Sequence, residues 1–184
     1  MKKNLKLRVL TAALALLVCM SFAGCGNDSD RDIVIGGNDS TNSSENNTSD
    51  KTYTFVYNNV KVNTNDLVEP VISALGSDYT YKESPSCAYT GMDKFYIYNG
   101  FSIYTYPDND AVDHVLQIVL TDDSLSTPEG LTLGDAASKV EQIYGEPAKK
   151  SDSSYLYTDG TTNLVITIKN DAVSAIQYIY VDAL

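Results

Sequence analysis

Beyond residue 52 the hydrophobic positions alternate with polar ones at a period of two, and a helical spacing interrupts them only twice. Thr52-Tyr53-Thr54-Phe55-Val56-Tyr57 is β-branched or aromatic throughout and predicts a strand. Asn58-Asn59 turns it, and Val60-Lys61-Val62 continues the hairpin. Asn65-Asp66 then caps a predicted short helix that ends at Leu75, with Gly76 as its left-handed stop. Pro70 falls in the second turn of that helix, where it costs a hydrogen bond. Strands are predicted next at 88–90, 94–98, 101–106 and 112–121. Asn99-Gly100, between the second and third of these, is a hairpin signal, and Asp108-Asn109-Asp110 turns the third into the fourth.

The pattern then begins again. Asp135 caps a predicted helix over 136–144, Gly145 stops it and Pro147 prevents continuation. Its apolar stripe is Val140, Ile143 and Tyr144. Strands follow at 155–158, 164–168 and 172–181, joined by Asp159-Gly160 and Asn170-Asp171. Asp66, Val71 and Gly76 match Asp135, Val140 and Gly145 at an offset of 69, and Asn109 to Val112 matches Asn170 to Val173 at 61. The drop of eight places an insertion around Lys82 to Met92. The expected fold is α+β: two tandem helix-plus-three-strand repeats, about 62–121 and 130–184, forming one antiparallel sheet with both helices on one face.

The N-terminus follows a different pattern. Lys2, Lys3, Lys6 and Arg8 precede an apolar run from Val9 to Met20, which is the layout of an export signal over 1–24 and too short to span a bilayer. Phe22-Ala23-Gly24-Cys25 resembles the lipobox of bacterial lipoproteins, with Phe22 in place of the usual leucine. That resemblance implies cleavage before Cys25 and diacylation of its sulfur. It places the chain in the bacterial cell envelope, on the outer leaflet of the cytoplasmic membrane or on the outer membrane. Residues 25–52 are rich in Ser, Asn, Asp and Gly and read as a flexible tether. A random coil of that length spans about 28 Å. The folded domain is 53–184, within which all 14 tyrosines fall.

Removal of the signal takes four of the 13 basic residues and none of the 24 acidic ones, leaving a formal charge of −15. Nucleic acid, which demands basic patches, is excluded as a partner. So is electrostatic docking on anionic lipid, so the lipid anchor carries membrane attachment. Only Cys87 survives lipidation and signal removal, which rules out an intramolecular disulfide and reads as a small buried apolar residue.

Leu133-Gly134-Asp135, Val140, Tyr144-Gly145-Glu146-Pro147 and the closing Val173-Ser174-Ala175-Ile176 resemble one unit of the β-lactamase-inhibitor-protein-like fold. The SmpA/OmlA family of small outer-membrane lipoproteins carries the same unit. The likeness covers about 120 residues as a tandem pair, though Asn65 and Asp78 stand where the unit has Gly and Pro. It implies a sheet whose open face grips another protein through aromatic side chains.

Nothing in the chain assembles a catalytic set, and no cofactor or metal is implied. His114 is the only histidine and has no plausible triad around it. Asp108, Asp110 and Asp113 crowd one turn, where they can hold Ca²⁺ or simply serve the turn. The tyrosines are the lead. Tyr96, Tyr98, Tyr104 and Tyr106 flank the Asn99-Gly100 hairpin, and Tyr155, Tyr157, Tyr178 and Tyr180 lie on the matching strands. Alternation with Phe95, Ile97 and Ile103 suggests tyrosines on the open face and Phe and Ile against the helices. A strict two-residue loop would instead pair Tyr98 with Phe101 and Tyr96 with Ile103. Exposed tyrosines bind proteins or peptides well, and tyrosine is also an ordinary strand residue. The expected function is a membrane-anchored extracytoplasmic binding module that takes a protein or peptide on a Tyr-rich open face. The alternative is a structural or envelope-assembly lipoprotein.

Overall fold

The computed structural model describes residues 51–183. The signal over 1–24, Cys25 and the tether up to residue 50 lie outside the described residues. Ten strands and two helices follow in the order β1 Phe55–Tyr57, β2 Val60–Val62, α1 Val68–Leu75, β3 Thr80–Pro85, β4 Met92–Ile97, β5 Phe101–Pro107, β6 Asp113–Leu120, α2 Ala137–Tyr144, β7 Lys149–Ser151, β8 Ser154–Thr158, β9 Thr162–Lys169 and β10 Ala172–Tyr180. A 3-10 turn, Val181–Ala183, closes the chain. β1 and β2 form a hairpin sheet, and the other eight strands form one antiparallel sheet in the order β3-β4-β5-β6-β10-β9-β8-β7.

The expectation of two helix-plus-three-strand repeats with both helices on one face is therefore corrected. The described residues are mostly β, with two helices of eight residues each beside an eight-stranded sheet and a separate two-stranded one. The unforeseen strands are β3 and β7, the two edges of the large sheet. An edge strand pairs on one side only, and every residue of both is exposed, so neither carries an apolar alternation. Residues 88–90, expected as a strand, form a loop in which the Ser86 hydroxyl accepts the N–H groups of Ala88 and Tyr89.

Helix area explains the correction. An eight-residue helix is about 12 Å long, whereas eight strands span roughly 34 Å. The β1-β2 hairpin helps cover the sheet. Phe55 is fully buried, with its ring 4.9 Å from that of Phe101 and 6.1 Å from that of Tyr178. Tyr53 reaches Tyr144 and Tyr157 at 6.1 and 6.3 Å, and its N–H donates to Asp159 Oδ2 at 2.8 Å. Val68 and Val71 from α1 and Val140 and Tyr144 from α2 join the same core.

Neither helix has the side-chain cap expected of Asn65-Asp66 and Asp135. Leu67 and Ala136, directly before the helices, are extended, and the residues ahead of them bond to a strand: Asn65 N–H to Val115 O and Val115 N–H to Asp66 O, then Gly134 N–H to Val173 O and Val173 N–H to Asp135 O. The aspartates close the preceding turns, Asp66 accepting from Asn63 N–H and Asp135 from Thr132 N–H, both at 2.8 Å. Because α1 starts at Val68, Pro70 sits in its first turn, where no helical bond is lost.

Both helices are anchored at their C-terminal ends by a strand tyrosine. Tyr98 OH donates to Gly76 O at 3.1 Å, and Tyr157 OH donates to Gly145 O at 3.0 Å. Tyr178 OH, by contrast, is buried with no hydrogen-bond partner among the described residues. Replacing Tyr157 by Phe should destabilise the domain by about 1 kcal/mol, since the Gly145 carbonyl loses its donor. Replacing Tyr178 by Phe should be neutral or stabilise by up to about 1 kcal/mol, because an unmet polar group is deleted. Urea unfolding of both variants checks the contrast.

Candidate functional site

The Asn99-Gly100 turn is the strict two-residue one. Tyr98 N–H donates to Phe101 O at 2.9 Å, and Ile97, Tyr96 and Phe95 stand opposite Ser102, Ile103 and Tyr104. Directly opposed residues share a face, so the register sorts the sheet into two sides. One row runs Tyr81, Tyr96, Ile103, Ile118, Tyr178, Leu164, Tyr157. Ile103, Ile118, Tyr178, Leu164 and Tyr157 in that row are buried core, which makes this the covered side.

The eight tyrosines expected on an open face do not gather there. Tyr98, Tyr155, Tyr157 and Tyr178 are buried, and Tyr96 is half-buried in the same covered row. Desolvation raises the phenols of Tyr98, Tyr157 and Tyr178, that of Tyr98 to about 12. They are held as neutral hydroxyls, which suits the donor role of Tyr98 and Tyr157. Tyr106 is buried too, its OH donating to Asn65 Oδ1 at 2.6 Å. Its ring stacks 5.8 Å from that of Tyr180, whose OH donates to Asp182. Tyr104 and Tyr106 stand in rows of the opposite side, Tyr104 opposite Gln117 and Tyr106 opposite His114, with the ring of Tyr104 edge-on to Phe95 at 5.2 Å. On β4 the parity is the reverse of the one expected, with Phe95 and Ile97 away from the core and Tyr96 and Tyr98 toward it, whereas Ile103 and Tyr104 on β5 fall on the expected sides.

On the opposite side two adjacent rows are free of charge, with Asp93, His114 and Lys169 on the same side beyond them. One row crosses all eight strands as Thr80, Ile97, Ser102, Val119, Gln177, Val165, Leu156 and Lys149. The next runs Lys82, Phe95, Tyr104, Gln117, Ile179, Asn163, Thr158. Between the lysines of the edge strands, neither row holds a charged side chain. Residues 51–184 carry 18 acidic residues against 8 lysines, so charge is kept off these two rows. Most of their inner side chains are half-buried, with Ser102 and Asn163 more deeply set.

The remaining chemical candidates serve the loops. His114 Nε2 lies 3.3 Å from Asp108 Oδ2 and its Nδ1 3.0 Å from the Asn65 carbonyl. Asp108 also accepts the N–H groups of Val112 and Asp110, and the Val112 bond foremost holds its carboxyl below the usual aspartate range. Asp113 pairs with Lys94 at 2.5 Å. Thus two of the three aspartates of this turn are engaged by protein groups, and among the described residues no cluster of three metal-ligating side chains occurs. Cys87, expected to be buried, is exposed in the loop after β3. Compared with protein-family models, curated proteins and solved structures, the chain matches none.

Two measurements test this sorting. Phe95→Ala should cost less than about 1 kcal/mol, whereas Ile103→Ala, three positions beyond the turn on the covered side, should cost about 2–5 kcal/mol. Chemical denaturation reads both. The Asp108 contribution should be fully present above the ordinary aspartate range and lost as pH falls through the lowered folded value. Asp108→Asn should remove that part of the acid limb in stability measured against pH.

Proposed function

We propose that the protein is a membrane-anchored extracytoplasmic binding module that engages another protein or a peptide through the uncharged face of its large sheet. The observation that carries this reading is the pair of charge-free rows in an otherwise acidic domain. Apolar and uncharged polar side chains are mixed along them (Ile97, Ser102, Val119, Gln177 and Val165 in one), a mixture that desolvates readily while still offering hydrogen bonds. The edges are poor alternatives. Lys82 stands on β3 and Lys149 and Lys150 on β7, and lysine on an edge strand discourages added strands. The lipobox-like Phe22-Ala23-Gly24-Cys25 supports attachment through diacylated Cys25, with the tether holding the domain away from the membrane. Among the described residues no helix is long and apolar enough to cross a membrane.

The test uses the full chain in its own membrane. A photo-crosslinking side chain at Gln177 should give one discrete adduct, and Val119→Lys or Val165→Lys beside it should abolish the adduct while leaving the unfolding midpoint nearly unchanged. No adduct, or the same adduct from a crosslinker placed at Ala74 on α1, would overturn the reading. For the anchor, Cys25→Ala should move the protein from the detergent phase to the aqueous phase in a detergent partition.

A further inference from the structure

Among the described residues three large hydrophobic side chains are exposed: Leu67 at 49%, Tyr81 at 44% and Val112 at 43%. They are not scattered. Leu67 and Val112 line one groove of about 500 Å³ between α1 and the covered side of β4, and the ring of Tyr81 lies 5.4 Å from that of Tyr96, which lines it as well. Single exposed hydrophobics are ordinary, whereas several around one concavity mark a contact site. Tyr79 and Tyr96 meet edge to face at 5.1 Å in the groove wall. Glu69 and Asp113 bring two carboxylates to it, against the single ammonium of Lys94, which is already paired with Asp113.

The other end of the same sheet shows which chemistry suits such a wall. Tyr155 of β8 faces Lys150 of the edge strand, whose Nζ lies 4.7 Å from the ring centroid and pairs with Glu141 of α2. Ring, cation and helix carboxylate thus form one unit. In the corresponding place, Tyr96 of β4 faces Tyr81 rather than a lysine and Ile72 stands where α2 has Glu141, while the carboxylate that α1 brings to the groove is Glu69, in its first turn. We propose that this groove receives a lysine or arginine side chain of a partner polypeptide, together with an adjoining aliphatic residue. The methylene stem packs on Leu67 and Val112, and the cationic head meets the Tyr79 and Tyr96 rings and the Glu69 carboxylate. The site is on the opposite side of the sheet from the uncharged face, and it stands or falls independently of that reading.

The domain from Asn46 onward contains the whole described core and can be titrated in nitrogen-15 amide spectra. The probe is the peptide acetyl-Lys-Leu-Lys-Leu-Lys-amide, with acetyl-Lys-Ser-Lys-Ser-Lys-amide as its apolar-free control. Saturable shifts centred on Leu67, Tyr96 and Val112 are expected. Leu67→Ser combined with Val112→Ser should weaken binding about tenfold, and Glu69→Gln should weaken it with less dependence on salt. Both positions are exposed, and preserved amide dispersion confirms folding of the variants. The proposal is overturned by equal binding of the serine peptide, by unchanged affinity in the double variant, or by no saturable shift at these residues. Binding that survives the double variant and disappears with Val119→Lys would place the contact on the uncharged face and overturn the groove instead.

Discussion

Tyr98 N–H donates to the Phe101 carbonyl across Asn99-Gly100, and the parity of the large sheet depends on that closure. Side chains alternate at a period of two, so one residue more in this turn would send every side chain of one strand to the other face relative to its neighbour. The turn has little room to change. Gly100 has φ of +86°, and a Cβ there would come within 2.7 Å of Ser124 Oγ and 2.9 Å of Leu125 Cδ1. The Gly100 carbonyl accepts from Thr121 N–H just after β6. The loop beyond β6 therefore grips the turn between β4 and β5. Aromatic packing follows from it, since Tyr98 and Phe101 stack at 4.7 Å with nearly parallel rings under the Phe55 ring of the hairpin.

The tyrosines belong mainly to this covered side, and their hydroxyls explain why tyrosine is useful there. Eight-residue helices are too short to persist alone. Each is tied at its start by two backbone bonds to a strand and at its end by one phenol to a glycine carbonyl. A phenylalanine would fill the same volume and leave that carbonyl without its donor. Tyr144 extends the logic from the helix side, its OH donating to Glu129 Oε2 at 2.8 Å and lying 2.7 Å from Thr127 Oγ1. Tyr178 is the exception, being aromatic volume with an unmet hydroxyl.

Much of the layout was legible in the sequence where a residue type has a local cause. Asn58-Asn59, Asn99-Gly100 and Asn170-Asp171 all form turns between paired strands, and Val140 and Tyr144 are buried on α2 as their spacing implies. The failures share a different origin. β3 and β7 were invisible because exposure on both faces removes the alternation that betrays a strand. The caps were misassigned because Asp66 and Asp135 look the same whether they bond forward to a helix or backward to a turn, and tertiary pairing with Val115 and Val173 decides. The tyrosine face was misplaced because alternation fixes which residues share a side and is silent on which side is covered. Phe95 and Ile97 are the more apolar pair, yet the hairpin register sends Tyr96 and Tyr98 to the covered side, where the Tyr98 hydroxyl donates to the end of α1. A charge-free row assembled from eight strands could not be read from any one of them.

That row also has a consequence for association. A sheet side with half-buried Ile97, Val119, Val165 and Leu156 would invite a second copy if nothing opposed it. Two things do. Domains that each carry 18 acidic residues against 8 lysines repel one another at short range. The lysines at both ends of the rows, Lys82 and Lys149, would also be brought close to like charges in a face-to-face pair aligned along the strands. Repulsion of this kind falls away against a neutral or basic partner, so the charge pattern discriminates against self-association without charging the contact surface itself. With the proposed lipid anchor this discrimination would matter more, because confinement to a membrane raises the encounter frequency of identical copies. The same acidity that separates copies draws a basic segment toward Glu69 and the groove on the covered side. The two proposed surfaces thus differ in kind, one suited to desolvation and shape and the other to charge over an aromatic wall.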